Sequence, residues 1–371
     1  MTPAEPTTLS EAMEPLDILL VCGSGGVGKT SVAASIAVYE ALQGRHVCVL
    51  TIDPARRLAQ AMGLDALDDR EREVDLSALA GPNAGKLTAI MLDAKKAFDR
   101  LITESAPDTE SAEKVLNNRV YQHLSQSTSG VQEYMALERL YELTRSTRFD
   151  LLVVDTPPAS HARDLLEGPE KMLRFLTGRS LRWFLRPGAK VGRFGLRAIG
   201  GAGGAIVGLV QRVTGAEMLR DTMEFFENFE GMYDTFVDRV AVVERMFGDQ
   251  HTGFLVVASP ERESIDEAVS FEELLADNDF AYIGAVVNRV EPRSSGGAVG
   301  PADLIEAGLS EDLAGRVATI HKEHIALARR DRKRAEELAE RTASMTITVP
   351  RMIELPSELE GLARLADHLY E

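Results

Sequence analysis

The sequence predicts an α/β protein: a doubly wound, mostly parallel sheet with an inserted helical subdomain. Apolar, β-branched runs alternate with helix-period segments along most of the chain, the signature of strands joined by crossover helices. Those runs are continuous rather than alternating in polarity, as strands covered on both faces require. Between residues 159 and 250 the alternation stops and no strand is legible, so a helical piece must interrupt the sheet or cap it.

Taken in order, residues 1–15 are acidic and Pro/Thr-rich and read as a flexible tail. Strands follow at Ile18–Cys22, His46–Asp53, Leu87–Leu92, Asp150–Asp155, Gly253–Ser259, Ala281–Val290 and Met345–Val349, each an apolar run between polar or turn-forming residues. Helical periodicity covers Lys29–Leu42, Ala94–Ser105, Ser111–Ser125, Val131–Ser146, Ile265–Ala276 and Ser357–Leu369. Glu311–Arg341 is long, charged and helical, and reads as a solvated face. The stretch Arg293–Pro301 is a flexible loop by composition. The organisation that results is a first sheet part over 16–158, a helical subdomain over 159–250 and a second sheet part over 251–371.

At 371 residues, 44% of them hydrophobic, the chain is long enough for one large domain with an insertion. A net charge of −17 argues against nucleic acid as a partner, because phosphate contacts need clustered Lys and Arg. The two cysteines, Cys22 and Cys48, both fall in predicted strands, so neither a disulfide framework nor a thiolate zinc site is supported. The first residues lack the basic end and apolar core of a signal peptide, and no apolar run is long enough to span a membrane. A cytoplasmic location is expected.

The chemistry is concentrated after the first strand. Gly23-Ser24-Gly25-Gly26-Val27-Gly28-Lys29-Thr30, with Ser31 next, completes the G-x-x-x-x-G-K-[ST] pattern between a strand and a helix. Glycines let the backbone curl around an anion with its N–H groups inward, and the helix that follows adds its positive end. Lys29 reaches β- and γ-phosphates, and the Thr30 hydroxyl suits Mg²⁺. Two strands end on aspartates, Asp53 in I-D-P and Asp155 in V-V-D-T-P-P. Ligands of doubly wound sheets bind beyond the carboxyl ends of strands, so both carboxylates should face the loop. Asp155 reads as the acid holding Mg²⁺ through its water shell, and Asp53 as the group that orients or deprotonates the attacking water. An aspartate at a strand end also caps a following helix or turn, and strand context alone leaves that role open for both.

The stretches G-S-G-G-V-G-K-T, I-D-P-A-R-R-L, D-T-P-P-A-S-H and V-V-N-R-V stand in the order and spacing of the ArsA family. The resemblance runs from Ile18 to the C-terminal helix. That family includes the arsenite-pump ATPase and the eukaryotic ATPase that targets tail-anchored proteins, both cousins of MinD and the nitrogenase iron protein. The resemblance implies an ATPase using ATP/ADP and Mg²⁺. It implies that Asp53 is the water-activating aspartate of the first switch. Asp155 then opens the second switch, with His161 at that motif's histidine. It further implies that Asn288, followed by Arg289, hydrogen-bonds the adenine, and that Val349-Pro350-Arg351 closes over the base. An Asn side chain offers both a donor and an acceptor, which suits an adenine edge.

Two departures bear on function. The family's signature lysine, which in relatives crosses a dimer interface to the partner's nucleotide, is replaced by Ser24. A serine cannot supply that charge to a transition state. Either Lys29 and Mg²⁺ suffice, in a homodimer, or the chain works as a heterodimer with a lysine-bearing paralogue. The family's metal-binding cysteines are also absent, which speaks against arsenite binding and a thiolate zinc clasp.

The insertion is unusual in composition. Gly168–Arg212 is basic, with Phe175, Trp183, Phe184 and Phe194 interleaved, and ends in a small, greasy run, Ile199–Val210. Met218, Phe225, Phe226, Phe229, Met232, Tyr233, Phe236, Val240, Val243 and Phe247 then recur at helical spacing opposite a face of acidic residues. Such a stripe most often packs on a neighbouring element, and it also suits a groove for a hydrophobic client helix, as the resemblance implies. The basic stretch suits anionic lipid, which makes peripheral membrane contact a further expectation. The reading is thus an ATPase that binds and releases a hydrophobic protein client. Its alternatives are a MinD-like membrane switch, the ATPase subunit of an anion pump, and a weakly active structural half of a heterodimer.

Overall fold

A computed structural model describes residues 8–52, 57–64, 67–127, 131–157, 159–177, 221–293, 299–352 and 358–371. Eight strands form one sheet: β1 (Ile18–Gly23), β2 (His46–Thr51), β3 (Arg72–Val74), β4 (Lys86–Met91), β5 (Leu151–Asp155), β6 (Thr252–Ala258), β7 (Tyr282–Val290) and β8 (Thr346–Pro350). Their order is β3-β4-β2-β5-β1-β6-β7-β8, all parallel except the β3–β4 pair. The strand β1 is central, paired with β5 through Leu19↔Val153 and with β6 through Leu19↔Gly253. The chain leaves β1 for β2, two places to one side, and later adds β6 on the other. A crevice for a ligand is expected where the winding reverses like this.

The described residues group into two compact units. The first is drawn from Met1–Met91, Ser146–Arg163 and Gly248–Glu371, the second from Leu92–Arg145 and Asp164–Phe247. In the first unit the strands β1, β5 and β6 are buried along their whole length. The helix Lys29–Leu42 covers one face, with Val32, Ile36 and Val38 in the core, and Leu359–Tyr370 packs beside it. Tyr370 stacks on Tyr39 and donates its hydroxyl to Glu40.

The second unit contains the helices between β4 and β5 as well as those that follow β5. Its core is the amphipathic stripe itself. Phe229 packs edge-on against Phe236, which lies against Phe98 and Tyr134, and Val240, Val243 and Phe247 are buried with them. Glu138, 0% exposed, accepts from Tyr134 Oη at 2.9 Å and is clasped by the Arg239 guanidinium, which also donates to Glu104 at 3.0 Å. The basic and glycine-rich run 178–220, including Ile199–Val210, lies outside the described residues.

Several elements correct the sequence-based expectation. Residues 8–15, expected within a flexible tail, contain the helix Leu9–Met13, whose Leu9 and Met13 are buried. A capping box starts it: Thr8 Oγ1 accepts from Glu11 N, and a Glu11 carboxylate oxygen accepts from Thr8 N. The strand β2 closes on Thr51, two residues short of Asp53. Ser111–Ser125 resolves into two helices, Thr109–Leu116 and Arg119–Ser127, because Asn117 and Asn118 turn their side chains onto backbone groups. The antiparallel edge strand β3 has three residues and one buried side chain, Val74, too short for any period to be read. The helix Glu311–Thr342 matches its expected extent and solvated character, burying only five residues along its length.

Candidate nucleotide site

The strand β1 delivers the chain to Gly23, whose φ of +143° and close approach to the Val257 carbonyl leave no room for a Cβ. The loop then turns back and enters the helix Lys29–Leu42 through Gly28, its N-cap, at φ +100°. A side chain at Gly28 would overlap the Asn288 amide. Val27, between them, is buried. Gly25 and Gly26 are exposed, and Ser24, Thr30 and Ser31 are partly so. The loop is thus pinned at both ends and open in the middle, as an anion cradle requires.

Lys29 is only 7% exposed and donates its ammonium to the Ser24 carbonyl at 2.8 Å. The Thr30 hydroxyl donates to Asp155 Oδ2 at 2.8 Å, and the Thr51 hydroxyl donates to the same oxygen at 2.9 Å. Asp155 is 1% exposed at the end of β5, and its carbonyl accepts from Ile52 N. A buried carboxylate held by two hydroxyls beside a helix N-terminus is a hard-oxygen donor set. Together, Thr30 and Asp155 fit Mg²⁺.

Asn288 lies against the loop. Its Nδ2 donates to Val27 O at 2.8 Å, while its Oδ1 accepts from Arg289 N at 2.9 Å. Arg289 takes a φ of +63°, and its side chain is exposed. Pro350 ends β8 in register with Val290, and Arg351 N donates to Val290 O at 2.8 Å. The segment assigned to base closure therefore runs beside the strand that carries Asn288. Asp53 lies outside the described residues, as does the side chain of His161, whose backbone belongs to the helix Ala159–Thr177.

Sequence reasoning missed two contributors. Thr51 is a hydroxyl at the end of an otherwise apolar run, a signal that was present. Ser264, whose Oγ lies 3.0 Å from Ser24 Oγ, carries no motif, and only the packing of its helix brings it to the loop. Burial pushes the Cys22 thiol up to about 12, against a hydrogen bond with Thr156. Cys48 is buried in β2. No group of three or more His, Cys, Asp or Glu side chains suited to a metal ion occurs among the described residues. Nor, among those residues, is any helix long and apolar enough to cross a membrane.

Comparison with known proteins agrees with this geometry. The chain is 24% identical to the "ATPase ASNA1 homolog" of Plasmodium chabaudi chabaudi over 76% of this chain and 66% of that protein. It is 28% identical to "ATPase get3" of Schizosaccharomyces pombe over 48% of this chain and 52% of that protein. With "ATPase GET3" of Podospora anserina the identity is 25% over 76% of this chain and 78% of the relative. The chain thus spans about half to two thirds of the length of the first two relatives. Residues 16–298 match the family model described as anion-transporting ATPase, and the chain belongs to that family, the ArsA ATPases.

Proposed function

We propose that this chain is a Mg²⁺-dependent ATPase that couples ATP binding and hydrolysis to a conformational change in a dimer and to binding of a hydrophobic protein client. The observation that carries the reading is the convergence of Thr30 and Thr51 on Asp155 Oδ2, beside a glycine loop that holds Lys29. Lys29, with donors to spare beyond the Ser24 carbonyl, would reach the β- and γ-phosphates, while the loop amides and the helix N-terminus receive phosphate oxygens. Thr30 and Asp155 would hold Mg²⁺, which supplies neutralisation of the charge on those oxygens. Asp53, two residues past Thr51, would orient or deprotonate the attacking water. Asn288, Arg289 and Pro350 would border the adenine. The segments after Asp53 and Asp155 would respond to the γ-phosphate, as switch segments do.

Client binding is supported by the family and by the aromatic stripe of the helical unit. The stripe is buried against its own neighbours, so a client helix would have to displace them. The reading is of a cytoplasmic protein, and the basic composition of the sequence after Gly168 supports contact with a membrane surface. A second reading, a heterodimer with a lysine-bearing paralogue, is favoured by Ser24, whose side chain is engaged with Ser264. It anticipates negligible hydrolysis by this chain alone and a jump on adding the paralogue.

The test is calorimetry with Mg²⁺ and adenine nucleotides, followed by hydrolysis assays of the unmodified chain and Asp53→Asn. Uptake of Mg-ADP, with hydrolysis lost in the variant, is expected. No uptake by folded protein, alone or with the paralogue, would overturn the reading. Co-purification with and without ATP identifies the client.

A further inference from the structure

Ser24 is held from two directions. Its carbonyl accepts the Lys29 ammonium at 2.8 Å, and its hydroxyl lies 3.0 Å from Ser264 Oγ. Ser264 is 7% exposed and sits in the first turn of the helix Arg262–Asp277. Its Oγ also accepts from Ser259 N at 3.0 Å, the residue that follows β6. That bond takes one lone pair. The Ser264 hydroxyl keeps its hydrogen and a second lone pair, so it can pair with the Ser24 hydroxyl with either one as donor. A chain of hydrogen bonds therefore runs from the end of β6, through Ser264, to the first half of the phosphate loop.

The two tethers on Ser24 differ in kind. The Lys29 ammonium has three N–H donors, one given to the Ser24 carbonyl, and shares itself between that carbonyl and phosphate. The hydroxyl pair with Ser264 involves no group that the phosphates would draw on, and it ties residue 24 to the helix Arg262–Asp277 while the neighbouring amides face the anion.

We propose that Ser264 is a positioning residue for the phosphate loop, acting through Ser24 to hold the loop open for nucleotide. This rests on the nucleotide reading of the loop, and the experiment separates the two. Hydrogen exchange of the loop amides is measured in nucleotide-free protein, where no binding is needed, and Mg-ADP affinity is measured by calorimetry. The variants are Ser264→Ala, Ser264→Thr, Ser24→Ala and the double Ala variant. Ser24→Ala removes the same bond from the partly exposed side and guards against misfolding of Ser264→Ala.

Each single Ala variant is expected to speed loop exchange and to weaken Mg-ADP about five- to tenfold, the scale of one hydrogen bond at a buried partner. The double variant should be no weaker than Ser264→Ala, because the hydroxyl pair is already lost in that single variant. Ser264→Thr should restore both readouts, and in steady state Ser264→Ala should raise KM more than it lowers kcat. Unchanged loop exchange in Ser24→Ala and Ser264→Ala, or additive losses in the double variant, would overturn the proposal. Faster loop exchange in the variants of a protein that takes up no nucleotide would uphold the tether and sink the nucleotide reading instead.

Discussion

Thr51 Oγ1 donates to Asp155 Oδ2 at 2.9 Å, joining the ends of two neighbouring parallel strands through their side chains. The register sets this up, because Thr51 and Asp155 are direct partners across β2 and β5. Replacing Thr51 with Val keeps the shape and removes the donor. The buried carboxylate then loses one of the hydroxyls that orient it. Unfolding should become easier by about 1–3 kcal/mol, and Mg-ADP affinity should fall. Denaturant titration and calorimetry check the pair of effects.

Asn288→Ala removes the donor to the Val27 carbonyl and the side chain that Gly28 must avoid. The loop should loosen at its helix end, with a loss of about 1–2 kcal/mol of stability. If Asn288 also reads the base, Mg-ADP binding should weaken more than Mg-GDP binding. Competition titrations with the two nucleotides give the ratio, and an equal loss for both would confine Asn288 to support of the loop.

In the helical unit, Arg239→Met should be costly. Glu138 is fully buried, and Arg239 is its cationic partner there. Breaking a buried pair from one side typically costs about 3–5 kcal/mol. The double variant Arg239→Met with Glu138→Leu should recover most of that loss, since no charge is left behind. Thermal melting of the three variants measures the coupling.

Asp266 accepts from Arg341 at 2.6 Å, joining the helix Arg262–Asp277 to the end of the long charged helix. This hydrogen bond, with the nearby positive charge, holds the Asp266 carboxyl below its ordinary 3.8. With the folded-state value depressed, the pair's contribution is present above pH 3.8 and drains away as pH falls through the depressed value. Asp266→Asn should therefore lower the melting temperature slightly near neutrality, and by less as the pH drops below that point. Parallel melts of the two proteins across acid pH test the sign.

The middle of the sheet was legible because β1, β5 and β6 are buried along their whole length, which forces continuous apolar runs. The helix Lys29–Leu42 was readable to the residue, since the glycine before it and the apolar period within it mark both ends. That Lys29, Thr30 and Asp155 lie close together was readable from the strand–loop–helix order and from an aspartate closing a neighbouring apolar run. The capping box of Thr8 and Glu11 was equally present in the sequence, masked by a Pro/Thr-rich composition.

Other features depend on contacts between segments distant in the chain, where no period or motif records them. Ser264 meets Ser24 across 240 positions, and Asn288 meets Val27 across 261. The same holds for the aromatic stripe. Its spacing is identical whether it lines a groove or fills a core, and its packing against Phe98 and Tyr134 is recorded by no local period. Local sequence determined which elements form and which chemistry the loop can hold, because propensity and valence act over a few residues. Tertiary structure decided which hydroxyls and amides tie the loop down, because those bonds exist only once the strands have taken their order.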